Sequence, residues 1–349
     1  MKIARLVAPR KFEFQTVTDP VMGKNESIIE LERWSICGTD IRSAYGQELS
    51  KDKYPLGIGE PCHELAGTIV DTEDKNLKIG DRAIVFPTVG GYGGLVEFMS
   101  LPSSNIVKLP SHGDLSEWVV CQPASTAMYG CKTIGSWIGK TVAIIGQGGI
   151  GLSFTAMISK LGAERIIACD NLAYRLKYAK QFGATDTLNG NEVSLDEGVR
   201  ELTNGGMVDV VVDAAGYSES FEMAPKLLKR EGTFILFGIH HEVDGSDKIL
   251  SAQSVNELIR DEIVIKSIGP AGRANPTEHI REMIRLKERG WWDPANLITH
   301  NMKLNEVNEA YDMYEKRKDN IIKVVMSVSY THLRAHETLR YLVCRLLLE

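Results

Sequence analysis

Apolar and polar residues alternate with period two through KFEFQTV (residues 11–17) and SIIELERWSIC (27–37), the spacing of strands with one buried face. KIGDRAIVFP (78–87) places a glycine turn ahead of another such run, and TVGGYGGLVEFM (88–99) is a glycine-rich loop that opens into a further strand. Roughly the first 120 residues therefore predict short strands and turns. Near residue 140 the period changes. TVAIIG (141–146) is a compact apolar run, LSFTAMISKLGA (152–163) has helical spacing, and RIIACD (165–170) is a second apolar run. The same rhythm continues through LAYRLKYAKQFGA, SLDEGVRELTNGG, VDVVVDAAG, SESFEMAPKLLKREG, TFILFGI, SVNELIRDEI and IVIKSIG. Strands alternating with helices predict a doubly wound parallel sheet covered on both faces, so the fold class is α/β. The stretch after residue 268 is mixed and closes with DNIIKVVM, a strand.

Composition narrows this picture. The chain has 349 residues, 43% hydrophobic and 25% charged, as expected of an ordinary globular protein large enough for two domains. Its net charge of −6 comes from interspersed acidic and basic residues, with no basic stripe that would suit nucleic acid. No apolar run approaches the length of a membrane span, and MKIARLVAPRKFEF lacks the apolar block of a signal peptide. A cytoplasmic location is expected. The six cysteines show no paired framework, and most are expected to be small core residues.

The first chemical signal is GQGGIG, Gly146 to Gly151, which follows one apolar strand and opens a helix, while the next strand ends in Asp170. That is the full context of a dinucleotide fingerprint. Gly146 allows the tight turn, Gly148 lets the backbone approach a pyrophosphate, and Gly151 permits close helix packing, with Gly149 and Ile150 between them at the helix start. The N–H groups there face phosphate. Asp170 suits a ribose diol and repels a 2′-phosphate, so NAD is expected over NADP. Arg175 could accommodate a phosphate, but reads more simply as a solvated helix residue.

The second signal is GEPCHELAG (59–67), in which a cysteine, a histidine and a glutamate stand side by side. Upstream lies ICGTD (Cys37 to Asp40) and downstream CQPAST, starting at Cys121. With KIGDRAIV, GGYGGLVEF, DVVVDAAG…LLKREGTFILFG and the closing IIKVV, these motifs resemble the zinc-dependent medium-chain alcohol and polyol dehydrogenases, in that family's order over residues 1 to 326. The resemblance implies a GroES-like β-rich catalytic domain (1–125 and 269–327) around a Rossmann NAD-binding domain (126–268). It implies one catalytic zinc held by Cys37 and His63, with Glu64 in or just behind the ligand set and Gln122 at a position where the sugar-dehydrogenase branch has a glutamate or glutamine. Thiolate, imidazole and oxygen ligands suit zinc with one position open. The implied activity is hydride transfer from an alcohol to NAD, with the Thr39 hydroxyl passing the proton on. The substrate would be a small alcohol, polyol or sugar, and the assembly a homodimer or homotetramer.

Four positions depart from the family pattern. Cys62 replaces the usual glycine before His-Glu and is expected to be a packed bystander. No four-cysteine lobe follows the GDR strand, so a second, structural zinc is not expected. Gln122 is an amide, which would leave the zinc more positive than a carboxylate would. Arg42 stands where a relay histidine is common, and arginine is no general base. It is expected either to hold a cofactor phosphate or an acidic substrate group or, equally, to be a surface arginine on a helix. Trp34, Tyr45, Tyr92 and Tyr129 lie near these motifs and are expected to be core more than cleft. Two rival readings remain at this stage, a zinc-free NADPH reductase of the same superfamily and a non-catalytic NAD-binding protein. Residues 328–349, VSYTHLRAHETLRYLVCRLLLE, resemble translated sequencing-adapter sequence and are excluded from any site.

Overall fold

The computed structural model describes residues 1–87, 93–238, 252–269 and 276–328, with the side chains of 252–254 left aside. Tyr92 and the tail beyond Val328 lie outside these residues. The period-two segment Glu26–Ser35 is a strand buried on alternate positions at its start and wholly buried at its end. It is the hub of a largely antiparallel sheet, flanked by Glu64–Thr72 on one side and Lys323–Ser327 on the other. Arg82–Val85 and Ile106–Lys108 extend the sheet past Glu64–Thr72, Ile298–Lys303 pairs with Lys323–Ser327 at the other edge, and Phe98–Pro102 pairs with the hub strand. KFEFQT pairs with Lys2–Ala8 in a separate two-stranded sheet.

The apolar runs of the second half form a six-stranded parallel sheet. Across the sheet the order is Asp186–Asn189, Arg165–Asp170, Thr141–Ile145, Val208–Asp213, Leu228–Leu236, Val264–Ser267. The chain order reverses direction between Thr141–Ile145 and Val208–Asp213, a switch point at which crevices form outside the strand ends. The central strands are near-continuous β-branched runs because helices cover both faces. The architecture is a sheet-rich GroES-like domain and a Rossmann-like parallel-sheet domain. Among the described residues no helix is long and apolar enough to cross a membrane.

One boundary differs from the periodicity. SESFEMAPKLLKREG predicts a single helix, but the helix ends at Leu227 and the strand already begins at Leu228. Pro225 removes a helical donor near that end, and Glu231 takes a left-handed conformation (φ 60°) inside the strand. The "mixed" segment resolves into the helices Pro276–Glu288 and Val307–Lys316 and the strand pair that returns to the hub. Trp34 and Tyr45 are core residues, and Tyr129 packs on His279 with ring centroids 4.6 Å apart.

Candidate metal centre and dinucleotide turn

Strand register explains how residues far apart in sequence meet. Ser35 pairs with Glu64 at the end of the hub strand, so Cys37, two residues beyond one partner, and His63, one residue before the other, emerge at the same edge. Ligand atoms of Cys37, His63 and Glu64 lie within 4.8 Å of one another. Cys37 precedes the short helix Gly38–Asp40, and its N–H donates to Asp40 Oδ2 (3.0 Å). Thr39 Oγ1 donates to Cys37 Sγ (3.2 Å), which places its hydroxyl on the cluster.

Two charged residues behind the cluster were not found from the sequence. The first is Asp40, buried, with Oδ1 2.8 Å from His63 Nδ1. Such a carboxylate fixes the imidazole and leaves its other nitrogen free for an ion. Burial lowers the pKa of His63, but the Asp40 carboxylate and Cys37 beside it raise it further, to a net value well above the ordinary range. The second is Lys323, in the strand next to the hub. Its ammonium lies 2.8 and 2.7 Å from the two Glu64 oxygens and donates to the Ile36 carbonyl (2.9 Å). Burial disfavours that charge, and Glu64 more than restores it, so Lys323 titrates above its usual range. The available signals were the aspartate of CGTD and a lone lysine inside an apolar strand.

Gln122 is the second residue of the helix Cys121–Lys132 and is buried, and its Oε1 has no hydrogen-bond partner among the described residues. An orphaned buried acceptor calls for an unseen partner. A thiol, an imidazole held by a carboxylate and a second carboxylate form a donor set that fits zinc. Cys62 is buried, donates weakly to the Ser35 carbonyl (3.7 Å) and has its thiol pKa pushed well up by burial. It packs as expected of a bystander.

The glycine turn has the geometry its spacing implies. Gly146 is left-handed (φ 89°), and a methyl on Gly151 would come within 1.8 Å of the Gly146 carbonyl oxygen, so only glycine lets the helix Gly149–Lys160 sit this close. A methyl on Gly148 would meet only Arg175 Nη1, at 3.8 Å, which leaves that side open. Gln147 points inward, donating to the Ile144 carbonyl (3.1 Å) and accepting from Thr155. Asp170 accepts from the Gln147 N–H (2.6 Å) and the Leu172 N–H (2.9 Å), and Arg175, expected to be solvated, is instead largely buried with its guanidinium drawn to within 3.6 Å of that carboxylate. Ile150, half-buried, packs on the adjoining core. Arg42 reaches out of the metal-bearing half, its guanidinium carbon 4.4 Å above the Tyr217 ring centroid.

Comparison with known proteins gives this arrangement a family. Residues 23–111 match the alcohol dehydrogenase GroES-like domain and residues 149–288 the zinc-binding dehydrogenase domain. The chain belongs to the zinc-type medium-chain dehydrogenases and is an oxidoreductase of their alcohol and polyol dehydrogenase kind. Among its relatives, an alcohol dehydrogenase of Cupriavidus necator is 26% identical over 93% of this chain and 98% of its own. Sorbitol dehydrogenase 2 of Saccharomyces cerevisiae is 27% identical over 89% and 92%. An Escherichia coli oxidoreductase of unknown specificity superposes with a TM-score of 0.80 at 25% identity, covering 94% of this chain and 99% of its own. Galactitol-1-phosphate dehydrogenase of the same organism shares the fold, with a TM-score of 0.81 at 19% identity over 94% and 100%.

Proposed function

We propose that the protein is a zinc- and NAD-dependent dehydrogenase of a polyol, a sugar or a small secondary alcohol. The gathering of Cys37, His63 and Glu64 supports this reading most directly, and the buried Gln122 oxygen, without a partner among the described residues, supplies a further candidate donor. Cys37, His63 and Gln122 would hold the ion. Glu64, whose two oxygens both face Lys323, would sit behind them as a charge-balancing group. When bound, zinc supplies Lewis acidity to an alcohol oxygen and the nicotinamide accepts hydride. The chain's own part is positioning: Asp40 orients His63, and Thr39 takes the substrate proton at Oγ1 and hands it on. The turn at Gly146–Gly151 would seat the pyrophosphate on the amides at the helix start. Asp170 would take the ribose diol, and with the charge of Arg175 directed at Asp170 rather than at solvent, NAD is favoured over NADP. The sorbitol dehydrogenase relative favours polyols.

Among the described residues the strand Val264–Ser267 is the outermost of the parallel sheet and exposes Val264 and Ile265, which supports assembly through that edge as a homodimer or homotetramer. The deciding experiment measures NADH formation across polyols, sugars and secondary alcohols, with and without a zinc chelator. Chelator-sensitive turnover of one class supports the proposal. Turnover that survives complete metal removal, or that needs NADP⁺ in place of NAD⁺, would overturn it.

A further inference from the structure

Arg42 departs from the family pattern, and its surroundings set it apart from an ordinary surface arginine. It lies five residues after Cys37, half-buried, and among the described residues no carboxylate is within ion-pairing distance of it. Its guanidinium instead lies over the face of Tyr217, 4.4 Å from the ring centroid, and donates from Nη1 to the Gly216 carbonyl at 3.4 Å. Arg317, just past the helix Val307–Lys316, donates to the Tyr217 hydroxyl at 2.9 Å. Two guanidinium groups from around the antiparallel sheet thus hold one tyrosine of the parallel-sheet domain.

The loop that carries Tyr217 is a wall of the dinucleotide turn. It leaves the strand Val208–Asp213, whose Asp213 pairs in register with Ile145, and the Ala214 N–H donates to the Ile145 carbonyl at 2.9 Å. A methyl on Gly146 would stand 2.9 Å from Ala215 Cβ, so wall and turn are in contact. Asp213 braces the loop, accepting from the Ala215 N–H, the Gly216 N–H and Ser220 Oγ. Tyr217 then begins the helix Ser218–Leu227. Arg42 therefore connects a rigid wall of the cofactor turn to the helical segment that follows the candidate zinc ligand.

We propose that Arg42 is a positioning residue, which clasps Tyr217 and Gly216 to the segment following Cys37 and so sets the span between the metal centre and the dinucleotide turn. An arginine suits this role because its flat cation stacks on an aromatic face while its N–H groups remain free for a carbonyl. A fixed span prepares the gap for the nicotinamide end of the cofactor and reduces the ordering needed on binding. The adenine end, recognised at Asp170, would be indifferent to it. The inference rests on the NAD reading of the site, but the clasp itself can be tested without cofactor.

Amide hydrogen exchange of the cofactor-free full chain should show residues 214–218 exchanging about three- to tenfold faster in both Arg42→Ala and Tyr217→Leu than in wild type, the effect of losing one stacked cation. By NADH fluorescence, each variant should raise Kd by about three- to tenfold, and the double variant no further than the worse single, because the two residues act as one contact. AMP affinity should stay within about twofold, and Tyr217→Phe, which keeps the stacking and loses only the Arg317 bond, should behave like wild type. Unchanged exchange in Arg42→Ala overturns the clasp. So do additive losses of NADH affinity, an equal loss of AMP affinity, or a rise confined to the KM of an acidic substrate, which would make Arg42 an anion grip. If wild type binds no NADH while exchange still rises in Arg42→Ala, the clasp stands and the cofactor reading fails.

Discussion

Lys323 and Glu64 form a buried ion pair, and such a pair is most sensitive to losing one member. Lys323→Met leaves a carboxylate in the core without its cation, and urea denaturation in the presence of chelator should show a loss of about 3–5 kcal/mol. The double variant Glu64→Leu/Lys323→Met should recover most of it, since apolar replacement of both partners is close to neutral. A single variant as stable as wild type would mean the pair is not held as described. Asp40→Asn addresses a different role: with the imidazole less firmly oriented, zinc affinity measured by competition with a chelating dye should fall about 10- to 100-fold. An unchanged affinity would show that His63 is positioned by something else. At this scale the sequence drew attention to candidate ligands and was silent about the residues that stand behind them. Cys37 and His63 stand out because thiols and imidazoles are rare and sit in recognisable runs. Asp40 and Lys323 act through burial and partner choice, and neither can be read from residue type.

At the level of elements, the glycine turn shows how much the strand–turn–helix context decides. Gly151→Ala forces a methyl to within 1.8 Å of a carbonyl, so the helix must move. Loss of about 1–3 kcal/mol of stability is expected, together with loss of NADH binding. Gly148→Ala meets nothing closer than 3.8 Å on an ordinary backbone (φ −75°). Its melting temperature should stay within about 2 °C of wild type while NADH affinity falls, because the new methyl stands where a pyrophosphate would approach. Calorimetry and fluorescence titration together distinguish the two, and a Gly148→Ala chain with full affinity would misplace the phosphate site. The parallel strands were legible because their apolar runs are long and helix-separated. The end of Ser218–Leu227 was not, because the apolar pattern runs on through Leu227 and Leu228 while Pro225 and the left-handed Glu231 change the backbone beneath it.

For the molecule as a whole, the hub strand is where the two ends of the sequence meet. Val325, Met326 and Ser327 pair with Ser35, Trp34 and Arg33, and Val328 follows with its N–H 3.4 Å from the Glu32 carbonyl and its side chain packed on the same core. A chain ending at Val328 should therefore keep its melting temperature and its NADH-forming activity. A chain ending at Lys318 should not fold, because the strand that closes the sheet is gone. Loss of either property on the shorter cut at Val328 would show that the adapter-like segment belongs to the fold. The partition into two sheets was legible from the change of period near residue 140, whereas the return of residues 323–327 to the first sheet was carried by resemblance and not by pattern.

That return has a consequence in time. Glu64 and Lys323 are separated by 259 positions, and synthesis at about 5–20 residues per second puts roughly 13 to 50 seconds between them. Throughout that interval the growing polypeptide carries a carboxylate meant for the interior with no counter-cation to meet it. The antiparallel sheet can then close only once residues 323–327 have been made, although most of its strands are made first, while the parallel sheet, contiguous in sequence, can be complete earlier. The half of the molecule that the ribosome starts first is the half that finishes last.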